Sequence, residues 1–168
     1  MDDSNFQRSV ILICEHRFEG SFGLILNKQL DLSIGDAVNE LSHLNAPLFF
    51  GGPVQPDTLH FIHSYGELLT DSLEISKGVF WGGDFEHLKF LAETNQIDPQ
   101  KIRFYLGYSG WSEGQLTEEL KEKSWITSKC SPKDLFSSNP LDLWQNVLGK
   151  MGGNYRVMSH FPVDPTLN

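Results

Sequence analysis

The sequence predicts a single α+β domain in which a mixed, strongly curved or barrel-like β-sheet is surrounded by helices. The chain has 168 residues, which is the usual length of one domain, and we assign residues 1–168 to it. Strand and helix signals alternate without a regular βαβ repeat, as is typical of α+β proteins. Glycine-bearing corners follow three of the apolar runs, and such corners indicate a sheet that bends or partly closes.

Short apolar runs predict the strands. The first runs from Val10 to Cys14 without a polar residue, which is the pattern of a strand covered on both faces. Residues 24–26 follow after a loop with two glycines, so the two runs can form a hairpin, with a connection longer than a tight turn. Further strands are predicted at residues 48–50, 59–63, 79–81, 102–108 and 125–127.

Capping residues predict where the helices start. Ser33 and Asp36 have the spacing of a capping box, and Asp84 can cap a later helix. Ser131 and Asn139 each precede a proline at the first helical position. On the helix after Asn139, the residues expected to face inward are Trp144, Val147, Leu148 and Met151.

Composition and charge limit the functional classes. The chain carries 22 acidic and 13 basic residues, a formal net charge of −9. Because a nucleic-acid-binding face needs clustered Lys and Arg, we expect no direct nucleic-acid binding. The longest apolar runs are far short of the ~20 residues that span a bilayer, and the N-terminus is acidic, unlike a signal peptide. We therefore expect a cytoplasmic protein that does not enter the membrane.

The candidate catalytic residues are Cys14, Glu15, His16 and His63. Side chains alternate along a strand, so Cys14 and His16 are expected on one face. A thiol beside an imidazole can act as a nucleophile or a redox sensor, with His16 as base and Glu15 or His63 orienting it. The alternative is a buried strand cysteine that packs as a small hydrophobic residue. No ligand spacing matches a known metal site, so we expect neither a metal nor another cofactor.

The glycine-rich segment 107–116 is the second region of interest. Its candidate ligand- or partner-binding residues are Gly110, Trp111, Gly114 and Gln115. It lacks the lysine of a P-loop. Ser112 and Gln115 have capping-box spacing, which places Gly114 in the first helical turn, where glycine costs roughly 0.5–1 kcal/mol relative to alanine. We therefore expect a packed strand, a bound anion or a partner to approach that turn too closely for a Cβ.

Several segments, in the same order along the chain, resemble the YqgE/AlgH family, a group of small bacterial proteins of poorly defined function. The matching segments are Arg8–Val10, Cys14–His16, Gly23–Asn27, Phe50–Val54, His63, Leu106–Leu116, Asp142–Trp144 and Phe161–Asn168. The resemblance implies a barrel-like α+β domain in the cytosol. Some members are labelled transcriptional regulators linked to exopolysaccharide control, and no established reaction or cofactor comes with the family.

The sequence departs from this family at three places. Members usually begin with an additional extended segment before the position of Asp3. If the protein lacks this segment, one sheet edge is expected to lie open; the alternative is that the sequence is truncated at its start. Gln29 and Thr117 stand where proline and glutamate are usual.

Three functional hypotheses remain from the sequence. The first is a regulator that acts through a small-molecule or protein partner. The second is a thiol-dependent enzyme or redox sensor that uses Cys14 with His16. The third is an adaptor that docks another protein through an exposed Trp81 or Trp111, since aromatic anchors dominate interfaces.

Overall fold

The structure is a computed structural model that describes residues 5–129, 131–136 and 139–161. Cys130 and the tail motif from Pro162 onward lie outside the described residues. The strands are β1 Ile11–Arg17, β2 Gly20–Ile25, β3 Gln29–Ser33, β4 Pro47–Phe50, β5 Val54–His63, β6 Leu73–Ser76, β7 Val79–Trp81 and β8 Ile102–Ser112. The helices are α1 Ile34–Ala37, α2 Phe85–Glu93, α3 Gln115–Lys121, α4 Pro132–Phe136, α5 Leu143–Met151 and α6 Gly153–Met158.

The eight strands form one mixed, nearly closed sheet around β8. The strand order is β1-β2-β8-β5-β7-β6, and β4 joins β3 to β8 off this path. The pairing of β4 with β8 is parallel, whereas β2 and β5 pair with β8 antiparallel. The predicted barrel-like α+β domain is therefore confirmed.

A glycine bend in β8 lets this strand change neighbours. Along one edge, residues 104–106 pair with β4, whereas residues 109–112 pair with β2. Gly107 lies between the two registers and has a φ of +66°. A Cβ at Gly107 would lie 2.4 Å from the carbonyl oxygen of Gly52, and a Cβ at Gly51 would lie 2.2 Å from the carbonyl oxygen of Gly107. Only glycine permits this approach of two backbones, so these glycines form the predicted corner.

Hydrophobic clusters lie on both faces of the sheet, because side chains of β8 alternate. Phe104 belongs to a cluster with Ile34 of α1 and Leu88 of α2. The next residue, Tyr105, belongs to a second cluster with Leu135 of α4 and Leu143 of α5. The helices therefore cover opposite faces of the central strand.

The capping residues correctly predicted where several helices start. Ser33 and Asp36 form a capping box on α1, and Asp84 caps α2 through the backbone N–H of His87. Asn139 accepts a hydrogen bond from the N–H of Leu141 in a short 3₁₀ turn, which leads into α5. These motifs are local, so the sequence alone specifies them.

Four strand predictions need correction. β1 is the edge strand of the sheet, so most of it is only partly buried rather than covered on both faces. It joins β2 in a tight hairpin, since Arg17 pairs with Gly20. Residues 125–127 form no strand, and the indole of Trp125 donates to Glu119 of α3. The short strands β3 and β6 escaped prediction because most of their residues are exposed and lack an apolar run.

Candidate functional site

Cys14 lies at a β-bulge in β1. The pairing of β1 with β2 shifts between Ile13 and Glu15, so the alternation expected for a regular strand does not hold here. The bulge turns Cys14 into the cluster that contains Leu24 and Tyr105. Burial raises the pKa of the Cys14 thiol to about 12, and its sulfur donates to the carbonyl of Leu12 at 3.6 Å. The thiol is therefore un-ionised at neutral pH.

His16 and Glu15 lie on the outside of the hairpin. His16 is exposed, and its Nδ1 is 2.6 Å from the hydroxyl of Ser21. Glu15 forms an ion pair with Arg17. Neither side chain forms a hydrogen bond to the thiol, so among the described residues neither His16 nor Glu15 is positioned as a base for Cys14.

His63 lies at the other end of the sheet. It pairs with Ile102 at the start of β8, whereas Ser21 opposite His16 pairs with Trp111 near the end of that strand. The backbone N–H of Tyr65 donates to Nδ1 of His63 at 3.2 Å, and Nε2 is 2.9 Å from the carbonyl of Gly82. Nε2 therefore carries the proton and donates it, and the fully buried ring is held neutral. The structure does not bring the four candidate catalytic residues together.

The glycine-rich turn between β8 and α3 differs from the expected capping box. The helix begins at Gln115, one residue after Gly114, so Ser112 is not its N-cap. Gln115 nevertheless reaches back to accept the backbone N–H of Ser112 at 3.0 Å. No heavy atom of the residues that the structure describes, other than those of Gly114 and its two chain neighbours, lies within 4 Å of a Cβ built on Gly114, whose φ is +72°. The expectation of a packed strand beside this turn was therefore wrong, and the left-handed backbone conformation is sufficient to explain this glycine.

Glu119 on α3 was not among the candidate residues identified from the sequence. Its Oε2 accepts the indole N–H groups of Trp111 at 2.9 Å and Trp125 at 2.6 Å, while Oε1 accepts the amide of Gln115 at 2.9 Å. Partial burial alone would raise the pKa of Glu119, but the three hydrogen bonds outweigh it and lower the pKa. Trp111 and Gln115 therefore act together to anchor α3 to the sheet.

An apolar cleft opens where β7 leaves β5. β7 pairs with β5 only at Ile62 and His63, which leaves the preceding part of β5 without β7 as a neighbour. The cleft has a volume of about 490 Å³, and its walls are mostly apolar. The residues that line it are Val38, Leu59, His60, Phe61, Trp81, Gly82, Gly83 and Phe85.

An aromatic cluster borders this apolar cleft. The rings of His60 and Trp81 stack with centroids 6.2 Å apart, and Phe22 packs against both of them. His60 Nε2 and Trp81 Nε1 are buried without a hydrogen-bond partner in the described part of the chain. Burial lowers the pKa of His60. Buried polar groups without a hydrogen-bond partner cost free energy and call for an explanation, and a functional role is one such explanation. They therefore make this region a candidate functional site.

A second cleft lies among the three C-terminal helices. It has a volume of about 730 Å³, and its walls carry basic and polar side chains. They include Lys133 on α4, Lys150 on α5 and Arg156 on α6, with His160 just beyond α6. The three Lys and Arg residues lie on three successive helices, so the packing of these helices brings them to one cleft.

Over the described ranges, no helix is both long and apolar enough to cross a bilayer. The same residues contain no group of three or more His, Cys, Asp or Glu side chains arranged to hold a metal ion.

A sequence profile of the AlgH-like family, DUF179, matches residues 1–156 of this chain. The chain belongs to the AlgH-like family. A UPF0301 protein from Cytophaga hutchinsonii is 46% identical over all of this chain and 93% of its own length. Another, from Chlorobaculum parvum, is 42% identical over 99% of this chain and 89% of its own length.

Two solved structures have the same fold as this AlgH-like chain. The solution structure of the AlgH protein from Pseudomonas aeruginosa has a TM-score of 0.75 and 27% identity, and the match covers 96% of this chain and 88% of that one. The crystal structure of protein DIP2367 from Corynebacterium diphtheriae has a TM-score of 0.76 at 22% identity, covering 96% and 86% of the two chains. The family resemblance derived from the motifs is therefore confirmed.

The motifs that identify the AlgH-like family largely build its fold. Gly51, Gly52 and Gly107 allow two backbones to meet, and the segment from Trp111 to Leu116 connects β8 to α3. The clefts are lined mainly by residues outside these motifs. Sequence reasoning missed them because their walls come from separate elements that tertiary packing brings together. The only sequence signal for the basic cleft is the low acidic content of residues 131–161, which contain two acidic residues and three Lys or Arg.

Proposed function

We propose that this AlgH-like protein is a non-enzymatic regulator that acts by binding a small molecule with an apolar part. The single observation that carries this proposal is the apolar cleft beside β5. Its volume of about 490 Å³ falls within the range of small-molecule sites, and it has aromatic walls with a few polar groups, as such sites do.

The lining of the apolar cleft supports a ligand with both apolar and polar groups. Leu59, Phe61 and Phe85 present apolar surface, and burial of such surface contributes about 25 cal/mol per Å². The rings of His60 and Trp81 pack with Phe22 on the opposite face of the sheet from Phe61. If these rings turned toward the cleft, a polar group on the ligand could pair with His60 Nε2 or Trp81 Nε1 and remove the penalty of leaving these atoms unpaired.

The thiol-dependent alternative has no comparable support. Catalysis by Cys14 requires a thiolate with a base within hydrogen-bond reach. The buried thiol has a pKa of about 12, and His16 bonds to Ser21 instead. A binding function requires neither feature.

An uncharged fluorescent probe tests the proposed cleft. N-phenyl-1-naphthylamine is expected to bind to the wild-type protein and to become more fluorescent. The Val38→Phe variant fills the cleft with a larger ring, so probe affinity should fall by about tenfold, as expected for loss of ~1.4 kcal/mol. Val157→Phe adds the same bulk on exposed α6 and serves as the control. Equal binding to both variants, with native circular dichroism, would contradict the proposed site.

A cellular experiment tests the regulatory role. A deletion strain of the source organism is complemented with wild-type protein, Val38→Phe or Val157→Phe, and transcript levels are compared. We expect Val38→Phe to reproduce the deletion profile at normal protein abundance, whereas the other two should restore the parental profile. Full restoration by Val38→Phe would show that regulation does not use this cleft.

A further inference from the structure

The C-terminal helices have a slight excess of positive charge in a protein that is otherwise strongly acidic. The whole chain has a net charge of −9, but residues 131–161 contain Lys133, Lys150 and Arg156 against only Asp134 and Asp142. The three basic side chains all line the 730 Å³ cleft, whereas Asp142 is absent from its walls. The basic side chains thus share one concave surface with a single carboxylate.

Pairing inside the cleft leaves two positive charges unbalanced. Lys150 forms an ion pair with Asp134, and this interaction lowers the pKa of the Asp134 carboxyl. Lys133 and Arg156 are exposed and take part in no ion pair with any described residue. Two like charges in one cleft repel each other unless an anion lies between them.

The spacing along the helices directs polar groups into the same space. Asn146 and Lys150 are four residues apart on α5, so they lie on one face of that helix. Arg156 and His160 are also four apart, and the Nδ1 atom of His160 is 2.8 Å from the carbonyl of Arg156. Nδ1 must donate to that carbonyl, and this bond orients the ring at the rim of the cleft.

We propose that this cleft binds a phosphate or diphosphate group, with Arg156 and Lys133 as its principal ligands. Two unbalanced cations match the charge of a divalent phosphate, and a guanidinium offers paired donors that fit phosphate oxygens. The Asp134–Lys150 pair holds one wall in place, and Asn146 supplies a neutral donor. This proposal rests on the basic cleft alone and is independent of the apolar cleft.

Titration of the isotope-labelled full chain with pyrophosphate at low ionic strength tests the proposal by amide chemical shifts. We expect saturable shifts at residues 133, 150 and 156. Arg156→Gln and Lys133→Gln should each weaken binding about tenfold, the effect of losing one charge-assisted hydrogen bond. Lys121→Gln removes the same charge from an exposed pair on α3 and should leave the affinity unchanged.

A second arm identifies the carrier of the phosphate. Co-sedimentation with phosphatidic acid vesicles, compared with phosphatidylcholine vesicles, detects a lipid headgroup, and titration with pyrophosphate detects a free anion. Binding in either arm that requires Arg156 supports the proposal. No binding in both arms, equal weakening by Lys121→Gln, or binding only to long polyanions such as heparin would overturn it.

Discussion

Gly51 and Gly107 meet backbone to backbone where β8 exchanges β4 for β2 as its neighbour. A Cβ on Gly51 would lie 2.2 Å from the carbonyl oxygen of Gly107, and the N–H of Gly51 donates to the carbonyl of Leu106 at 2.8 Å. The carbonyl of Gly51 in turn accepts the N–H of Ile25 at 2.9 Å, which ties β2 to the same corner. Closure of the sheet therefore depends on two residues that have no side chain.

Alanine substitutions at three glycines should distinguish a close approach of two backbones, a left-handed φ alone and an unstrained position in a helix. Gly107→Ala places a Cβ 2.4 Å from the Gly52 carbonyl at a φ of +66°, so we expect a loss of about 3 kcal/mol or more. In Gly114→Ala the new Cβ meets no neighbouring atom, so only the strain of the left-handed backbone should lower the free energy of unfolding, by about 1 kcal/mol. Gly149 lies inside α5 with open space around it, so Gly149→Ala should raise the free energy of unfolding by about 0.5–1 kcal/mol.

Urea unfolding of the three glycine variants measures these free energies. Equal losses for Gly107→Ala and Gly114→Ala would show that the close approach of backbones does not control stability at the corner.

His63 should make stability depend on pH. Burial lowers the pKa of His63 below its ordinary 6.5, although the bond to the Gly82 carbonyl partly opposes this. The unfolded chain therefore binds a proton before the folded protein does, so stability should fall as pH drops from about 6.5 toward the lower folded pKa. Protonation of Nδ1 would also break the bond from the Tyr65 amide.

Unfolding free energies between pH 8 and pH 5 test this histidine. His63→Gln cannot titrate, so its free energy of unfolding should vary less with pH than that of the wild type. At pH 8 this variant should be less stable by about 1–2 kcal/mol, because glutamine makes poorer hydrogen bonds at this site. His43→Gln, at an exposed site, is the control and should keep the wild-type slope. An unchanged slope in His63→Gln would contradict the proposal that His63 causes the pH dependence. Burial also lowers the pKa of His60, so part of any slope that remains in this range is expected from His60.

Cys14 should be unreactive in the folded protein. In a Cys130→Ser variant Cys14 is the only thiol, and its pKa of about 12 leaves almost no thiolate at pH 8. We expect iodoacetamide to modify it only after denaturation, as followed by mass spectrometry. Rapid, complete alkylation of the native variant below pH 8 would instead support the thiol-dependent hypothesis.

Glu119 should contribute more to stability than its neighbour Glu118. Glu119→Gln removes the charge that accepts two indole N–H groups, and we expect a loss of about 1–3 kcal/mol. Glu118→Gln disrupts only the exposed pair with Lys121, which contributes about 0–1 kcal/mol. Because hydrogen bonding lowers the pKa of Glu119, its contribution is present above its ordinary pKa of 4.5 and is lost as pH falls through the lower folded value.

Chemical denaturation of the two glutamate variants at pH 6 and pH 3.5 measures both effects. The difference between wild type and Glu119→Gln should shrink at the lower pH. Equal stability of the two variants at pH 6 would argue against a role for the indole contacts.

Duplex DNA should not bind measurably at physiological salt. Binding that depends on counterion release needs several phosphates neutralised along one face, and the chain has an excess of nine acidic residues. The basic cleft has the dimensions of a small ligand rather than of a duplex face. An electrophoretic mobility-shift assay checks this expectation, and submicromolar, salt-sensitive binding would contradict it.

Local sequence was sufficient to predict several parts of the structure. The capping box at Ser33 and the N-cap at Asp84 depend on residues within one helical turn, so their pattern is visible in the chain itself. The glycine pairs after apolar runs likewise predicted a bent sheet. Apolar runs predict central strands such as β8, because both faces of these strands are buried. They do not predict exposed strands such as β3 and β6.

The tertiary structure decided what the candidate site residues do. A bulge in β1 separated Cys14 from His16, and the pairing of β1 and β5 with other strands placed His16 and His63 at opposite ends of β8. The two indole groups that meet at Glu119 come from either side of α3, and the walls of both clefts come from separate elements, so tertiary packing brings these groups together.

By itself the sequence determined the fold class and the glycine corners, because these rest on periodicity, capping and backbone freedom within a few residues, and the resemblance of its ordered motifs indicated the family. Only the folded chain determined which polar groups meet, since register and helix packing set distances between residues that no local pattern encodes. For that reason the sequence predicted the β8–α3 turn as important, and the structure alone revealed the basic cleft among α4, α5 and α6.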